Sequence, residues 1–276
     1  MKRVAHFFDV RECPDLTALC GSFSTKQLQS PTRSTVPLID LVYGGGSAWE
    51  RFLRRLGAPA DCAVAFELGV PSPKPKGNPS QTDAVFASSA NVWAVEAKWT
   101  EPVDRQTVAQ RISKPESDGG DPRLTVAGWL AHLQPHCRRS LCVDDFSDII
   151  YQMVHRAASA AYLGHQRKLN PELVYLHFAP SPDRASASTE HYLRELERFH
   201  ERLGKPSTLP FRVVEMPLSF NDAFKAIRGL DKRSPATAAH VKRALCAGAL
   251  FTFGEPVMVS IGSVSSGCGP DLVPAP

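Results

Sequence analysis

Hydrophobic positions along the chain alternate between two periods, and the changes of period mark the elements. From Ser80 to Glu101 two β-prone runs flank the polar stretch Ser88–Asn91, which predicts a hairpin with a tight turn. Residues two apart in a strand share a face, so Ala94, Glu96 and Lys98 point one way. Trp93, Val95, Ala97 and Trp99 then line the other face. Cys62–Val70 alternates more weakly and predicts a strand carrying Glu67. Ahead of it Trp49, Phe52, Leu53 and Leu56 fall on one helical face, with Arg51, Arg54 and Arg55 opposite. Ser47 is placed as the N-cap of that helix, Glu50 as its capping-box partner, and Gly57 and Pro59 end it. The order of elements is α-β-β-β.

Downstream, Gln106–Ile112 is partly helical in pattern and Leu124–Leu133 predicts a short helix. Phe146–Leu163 is the clearest helix, with Ile149, Ile150, Met153, Val154, Ala157 and Ala161 in its apolar stripe and Gly164 as its terminator. Leu173–Ala179 reads as a buried strand, Glu190–Leu203 as a charged amphipathic helix, and Phe211–Met216 as another strand. Phe220–Ile227 and Ala236–Ala247 read as further helices, and residues 262–276 carry no pattern. At the other end, Val4–Val10 suits a short strand and Asp15–Cys20 a helical turn. Ser22–Pro37 has the Ser/Thr/Pro content of a loop or arm, and Gly44-Gly45-Gly46 breaks the chain. We therefore divide the chain into an N-terminal arm (1–46), an α/β core with a mixed central sheet (47–218), and a C-terminal helical extension with a frayed tail (219–276).

Composition narrows the class without naming the chemistry. With 276 residues and 43% hydrophobic content the chain can bury a substantial core. A net charge of +4 permits a nucleic-acid partner but does not require one. The seven cysteines are odd in number and irregular in spacing, and no secretory signal precedes them, so a cytoplasmic protein with reduced thiols is expected. The most apolar run, Ala247–Ile261, is interrupted by Glu255 and Pro256, so no membrane association is expected.

Asp83, Glu96 and Lys98 are the strongest chemical candidates. Phosphodiester hydrolysis needs a nucleophilic water, neutralisation of charge on the phosphorus and help for the leaving oxygen. Hard divalent cations held by carboxylates supply much of this. Asp83 and Glu96 can act as ligands together with the Ala97 carbonyl, leaving Lys98 to orient or deprotonate the water or to stabilise charge. An Asp followed by Glu-x-Lys is short enough to arise by chance. Charged residues ending a Trp/Val strand are costly unless paired or used, however, and that raises the pattern above background.

This arrangement resembles the PD-(D/E)xK nuclease superfamily, whose restriction-endonuclease-like core runs α-β-β-β-α-β. Thr82-Asp83 stands where Pro-Asp often does, and Glu96-Ala97-Lys98 forms the complete second half, with the likeness covering about residues 47–179. Tyr151-Gln152-Met153-Val154-His155-Arg156 is similar to the Tyr-Gln-x-x-x-Arg helix of uncharacterised families in that group. The departures are the missing Pro before Asp83 and a long insert after Lys98. The resemblance implies a metal-dependent nuclease using Mg²⁺, with Mn²⁺ as a substitute, that acts on nucleic acid, with DNA ahead of RNA. It would have Asp83, Glu96, Lys98 and Gln152 as catalytic residues and Asp83, Glu96 and Ala97 as metal ligands. Glu50 and Glu67 are added candidates for the metal. The spacing of Glu50 already suits a helix cap, and Glu67 suits a surface strand position equally well. Gln152 and Arg156 share a helical face, where they can brace the site, grip a phosphate or simply form a polar stripe.

Two further readings stay beside this one. A non-catalytic nucleic-acid- or protein-binding module could use the same fold, and homodimerisation is left open. His132, His136, Cys137 and Cys142 could clip a structural Zn²⁺, but Pro135 interrupts their helix and no finger spacing matches, so zinc is disfavoured.

Overall fold

In the computed structural model, which describes residues 5–74, 77–114, 120–183 and 185–261, one mixed sheet of nine strands runs through the molecule. The strands are β1 (His6–Phe8), β2 (Arg11–Cys13), β3 (Ala63–Val70), β4 (Ser80–Ala87), β5 (Asn91–Lys98), β6 (Asn170–Ala179), β7 (Phe211–Phe220), β8 (Phe251–Phe253) and β9 (Val257–Ile261). Their order is β2-β1-β3-β4-β5-β6-β7-β8, with β9 also on β7. The β3-β4 and β4-β5 pairs are antiparallel, and β5-β6 and β6-β7 are parallel. The patternless tail, residues 262–276, lies outside the described residues.

Both faces of this sheet are covered, and the central strands are accordingly apolar on both sides. One face carries α1 (Leu16–Ser22), α2 (Thr25–Leu28), α3 (Thr35–Gly44) and α4 (Ser47–Leu56), joined late in the chain by α9 (Asp222–Ile227) and α10 (Pro235–Ala247). The other carries α5 (Val108–Ile112), α6 (Pro122–Leu133), α7 (Tyr151–Arg167) and α8 (Thr189–Arg202). Strand β5 shows the division. Trp93, Val95 and Ala97 join the first core, while Val92 and Ala94 join the second. Among the described residues, no helix is long and apolar enough to cross a membrane.

Several local expectations give way to tertiary contacts. Ser22–Pro37 is not a bare loop, because it holds α2 and the start of α3. Ser47 does not cap α4. The N-cap is Gly46 at φ 48°, a backbone angle that favours glycine, and Ser47 Oγ instead accepts from Arg51 Nη1 at 3.0 Å. The long helix begins only at Tyr151, because the backbone just before it is claimed elsewhere. Val108 N–H donates to Ile149 O at 2.8 Å and Tyr151 N–H to Gln106 O at 2.9 Å. That helix also runs past Gly164 to Arg167, ending on Lys168 in the left-handed region. Gly164 is a packing residue: a Cβ there would lie 2.8 Å from the Pro171 ring.

Candidate active site

The hairpin strands part company next to Asp83. Ladder pairing of β4 with β5 extends from Ala87↔Val92 to Ala84↔Val95, while β4 stays on β3 as far as Val70↔Ser80. The N–H of Ala97 therefore lacks a strand partner on that side, and Asp83 Oδ2 accepts from it at 2.8 Å. Asp83 is thus pinned at the fork, half-buried.

Glu96 and Lys98 lie on the same face, beneath α7, and are 3% and 6% exposed. Lys98 Nζ donates to Glu96 Oε1 at 2.8 Å and to Gln152 Oε1 at 3.0 Å, while Gln152 Nε2 donates to Glu96 Oε1 at 3.1 Å. Glu96 Oε2 pairs with Arg156 Nε at 2.6 Å. Arg156 also donates to Ser80 Oγ at 3.0 Å and to the Gln81 carbonyl, which ties α7 to the start of β4. Residues 152 and 156 are one turn apart, so both reach the same carboxylate.

The electrostatics follow from this packing. Burial penalises the Glu96 carboxylate, but the Arg156 guanidinium and the Lys98 ammonium outweigh it and hold the pKa below the usual range. Burial penalises the Lys98 ammonium as well, yet Glu96 and Asp83 raise its pKa and keep it charged. Asp83 goes the other way: burial and then Glu96 push its carboxyl well above the ordinary value, against the pull of Arg156 and Lys98. His155, whose Nδ1 lies 3.2 Å from Ser80 Oγ, is pushed well below the ordinary histidine value by burial, Arg156 and Lys98, and is neutral at pH 7.

Of the residues singled out from sequence, Asp83, Glu96, Ala97, Lys98 and Gln152 come together here. Glu67 joins their edge. It faces Asp83 between the pairs Phe66↔Ala84 and Leu68↔Thr82, and its φ of 51° interrupts the strand. Burial raises its pKa, a hydrogen bond from Gln27 and the charge of Arg156 lower it, and Glu96 adds repulsion. Glu50 is not part of the group. It is exposed on α4, which packs on the opposite face of the sheet, because Trp49 and Phe52 are buried against Phe86 there. The histidine and cysteine group is engaged otherwise: His136 Nδ1 lies 3.0 Å from Thr208 Oγ1, and His132 meets Tyr162 edge to face.

Three neighbours were not among the sequence candidates. Ser80 bridges Arg156 and His155. Tyr175 on β6 lies in register with Glu96, fully buried, and its hydroxyl has no hydrogen-bond partner among the described residues. His177 pairs in register with Lys98; its Nδ1 lies 2.7 Å from Thr189 Oγ1, and its buried Nε2 lacks a partner among the described residues. For Tyr175 and His177 the one signal in the sequence is polar character inside a strand of buried type.

A hard divalent cation suits the oxygen donors at the fork. Glu96 Oε2 has one ion-pair partner for two lone pairs, Asp83 is partly exposed, and the orphaned Tyr175 hydroxyl leaves a polar position beside Glu96. Among the described residues, no three His, Cys, Asp or Glu side chains converge tightly enough to hold a metal by themselves. Magnesium commonly takes only one or two carboxylates and completes its shell with water and substrate phosphate, so Asp83 and Glu96 with the Ala97 carbonyl fit that usage.

Residues 23–219, well over half of the chain, match the family described as Domain of unknown function (DUF6946). No curated protein and no solved structure matches the chain.

Proposed function

The chain belongs to the DUF6946 family, and we propose that it is a metal-dependent nuclease of the restriction-endonuclease-like kind, hydrolysing phosphodiester bonds of nucleic acid, with DNA as the first candidate. The observation that carries this reading is the buried Glu96–Lys98–Gln152 triangle, set beside Asp83 where β4 leaves β5. Charged side chains this deep are costly, and a protein that needed only a stable sheet has cheaper residues for these positions.

In hydrolysis a water oxygen attacks phosphorus, the bond to one ribose oxygen breaks, and that oxygen leaves with a proton. Asp83, Glu96 and the Ala97 carbonyl, with Glu67 at the edge, would hold a Mg²⁺ or Mn²⁺, which would supply Lewis-acid activation of water and neutralise phosphate charge. Lys98 is held protonated by Glu96 and Asp83, so its part is to offset negative charge building on the phosphoryl oxygens rather than to take a proton. Gln152 orients both the Lys98 ammonium and the Glu96 carboxylate. Asp83 would bind the cation in its ionised form, so its raised carboxyl pKa makes proton release part of metal binding.

One feature favours the rival reading of a non-catalytic binding module: Glu96 is already neutralised by Arg156 and Lys98. Cleavage of labelled single- and double-stranded DNA and of RNA, with Mg²⁺ or Mn²⁺, separates the two readings. Metal-dependent cleavage by wild type, lost in Asp83→Asn and Lys98→Met, supports the nuclease. Nucleic-acid binding without cleavage, unchanged by both substitutions, supports the module.

A further inference from the structure

Arg156 stands among the carboxylates of the fork without a task in the hydrolysis described above. It reaches in from the second turn of α7, and its side chain is 13% exposed, so the guanidinium lies between the buried cluster and solvent. Burial opposes its charge, while Glu96, then Asp83, Tyr175 and Glu67 favour it. Its hold on Glu96 is close but poorly aimed. Nε lies 2.6 Å from Glu96 Oε2, yet neither atom has a hydrogen-bond partner among the described residues, so the contact is coulombic rather than a directed bond. The directed bonds run from Nη1 to Ser80 Oγ at 3.0 Å and to the Gln81 carbonyl.

A cation on Glu96 would have this guanidinium as its rival. Oε1 already accepts from Lys98 Nζ at 2.8 Å and Gln152 Nε2 at 3.1 Å, which leaves Oε2, the oxygen that Arg156 covers. Two positive charges on one buried oxygen repel, with little solvent to screen them. Lys98 is the poorer of the two cations to yield, because it is 6% exposed and makes directed bonds to both Glu96 and Gln152. Arg156 is the more exposed and the less firmly bonded to Glu96. Phosphate offers it a better partner. A guanidinium fork matches two phosphate oxygens with parallel N–H bonds, a geometry it does not make with Glu96.

We propose that Arg156 is a latch: it covers Glu96 in the resting protein and transfers to a phosphodiester of the arriving strand, so that cation and nucleic acid bind together. The inference rests on the metal-dependent nuclease reading and adds the order of assembly to it. The first test measures Mn²⁺ binding without nucleic acid, by electron paramagnetic resonance of the unbound ion, in wild type and Arg156→Gln. Thermal melts establish that the variant is folded at the assay temperature. The expected result is roughly tenfold or more tighter Mn²⁺ binding by Arg156→Gln. Equal or weaker binding, or none by either protein at millimolar Mn²⁺, overturns the latch. The second test needs only wild type to be folded. In protein carrying ¹⁵N-arginine, the Arg156 Nε–H resonance, identified by its loss in Arg156→Gln, should shift when Mg²⁺ and a phosphorothioate oligonucleotide are added together. A resonance that stays in place, as a purely structural strut predicts, refutes the transfer. Cleavage by wild type with no gain of Mn²⁺ affinity in Arg156→Gln removes this proposal alone. A gain of affinity without cleavage of any nucleic acid removes the nuclease reading alone.

Discussion

Arg156→Met is the sharpest perturbation of the buried network. The guanidinium pairs with Glu96 at 2.6 Å, and the two side chains are 13% and 3% exposed, so solvent screens the pair little. Removing one partner of a buried pair costs about 3–5 kcal/mol, because the other charge stays behind desolvated. Glu96 keeps Lys98 at 2.8 Å and Gln152 at 3.1 Å, which places the loss at the lower end, about 3 kcal/mol. For a chain of this size that corresponds to a fall in Tm of roughly 6–12 °C. Adding Glu96→Gln removes the stranded charge, so the double variant should recover at least about 1 kcal/mol relative to the sum of the two single losses. Urea and thermal denaturation followed by far-UV circular dichroism measure all four members of the cycle. Additive losses, or an Arg156→Met protein within about 1 kcal/mol of wild type, would refute a buried, coupled pair.

Two buried carboxylates set a pH dependence of unusual sign. Asp40 is 3% exposed and accepts backbone N–H bonds from Leu250 and Phe251, yet burial lifts its pKa from 3.8 to about 6. A raised folded-state pKa gives stability that is present below the unfolded pKa and is lost as pH rises through the folded value. Asp40 should therefore remove up to about 3 kcal/mol between pH 4 and pH 6. In Asp40→Asn that slope should flatten in pH-resolved denaturation, and an unchanged slope refutes the assignment. Glu172, paired with Arg212 at 2.7 Å, is lifted by burial from 4.5 to about 7, so Glu172→Gln should flatten the next window, from about pH 4.5 to pH 7.

What could be read from the chain in advance was what local chemistry decides. The hairpin was legible because a polar turn separates two β-prone runs, and Glu96 and Lys98 share a face by the two-residue period alone. Gln152 and Arg156 were legible as one helical face, but not as partners of the same carboxylate, since 56 residues separate Gln152 from Glu96. In sequence Glu50 leans toward a helix cap, while Glu67 is evenly balanced between metal ligand and surface strand residue. The side of the sheet on which α4 packs is what takes Glu50 away from the cluster. The start of α7 was misplaced because Ile149 and Ile150 continue the helical stripe while their backbone bonds to the segment before α5. Strand β1 falls within the run Val4–Val10 expected as a strand, but its parallel partner β3 lies far along the chain; β2 carries no apolar period, and β9 returns to β7 from the other end, so no local signal announces those two.

Diffraction from crystals soaked in Mn²⁺, collected at the manganese absorption edge, tests the central claim most directly. A nuclease site predicts an anomalous peak at the fork of β4 and β5, within about 2.3 Å of oxygens from both Asp83 and Glu96. No peak there at saturating Mn²⁺, with Arg156 still seated on Glu96, would contradict it.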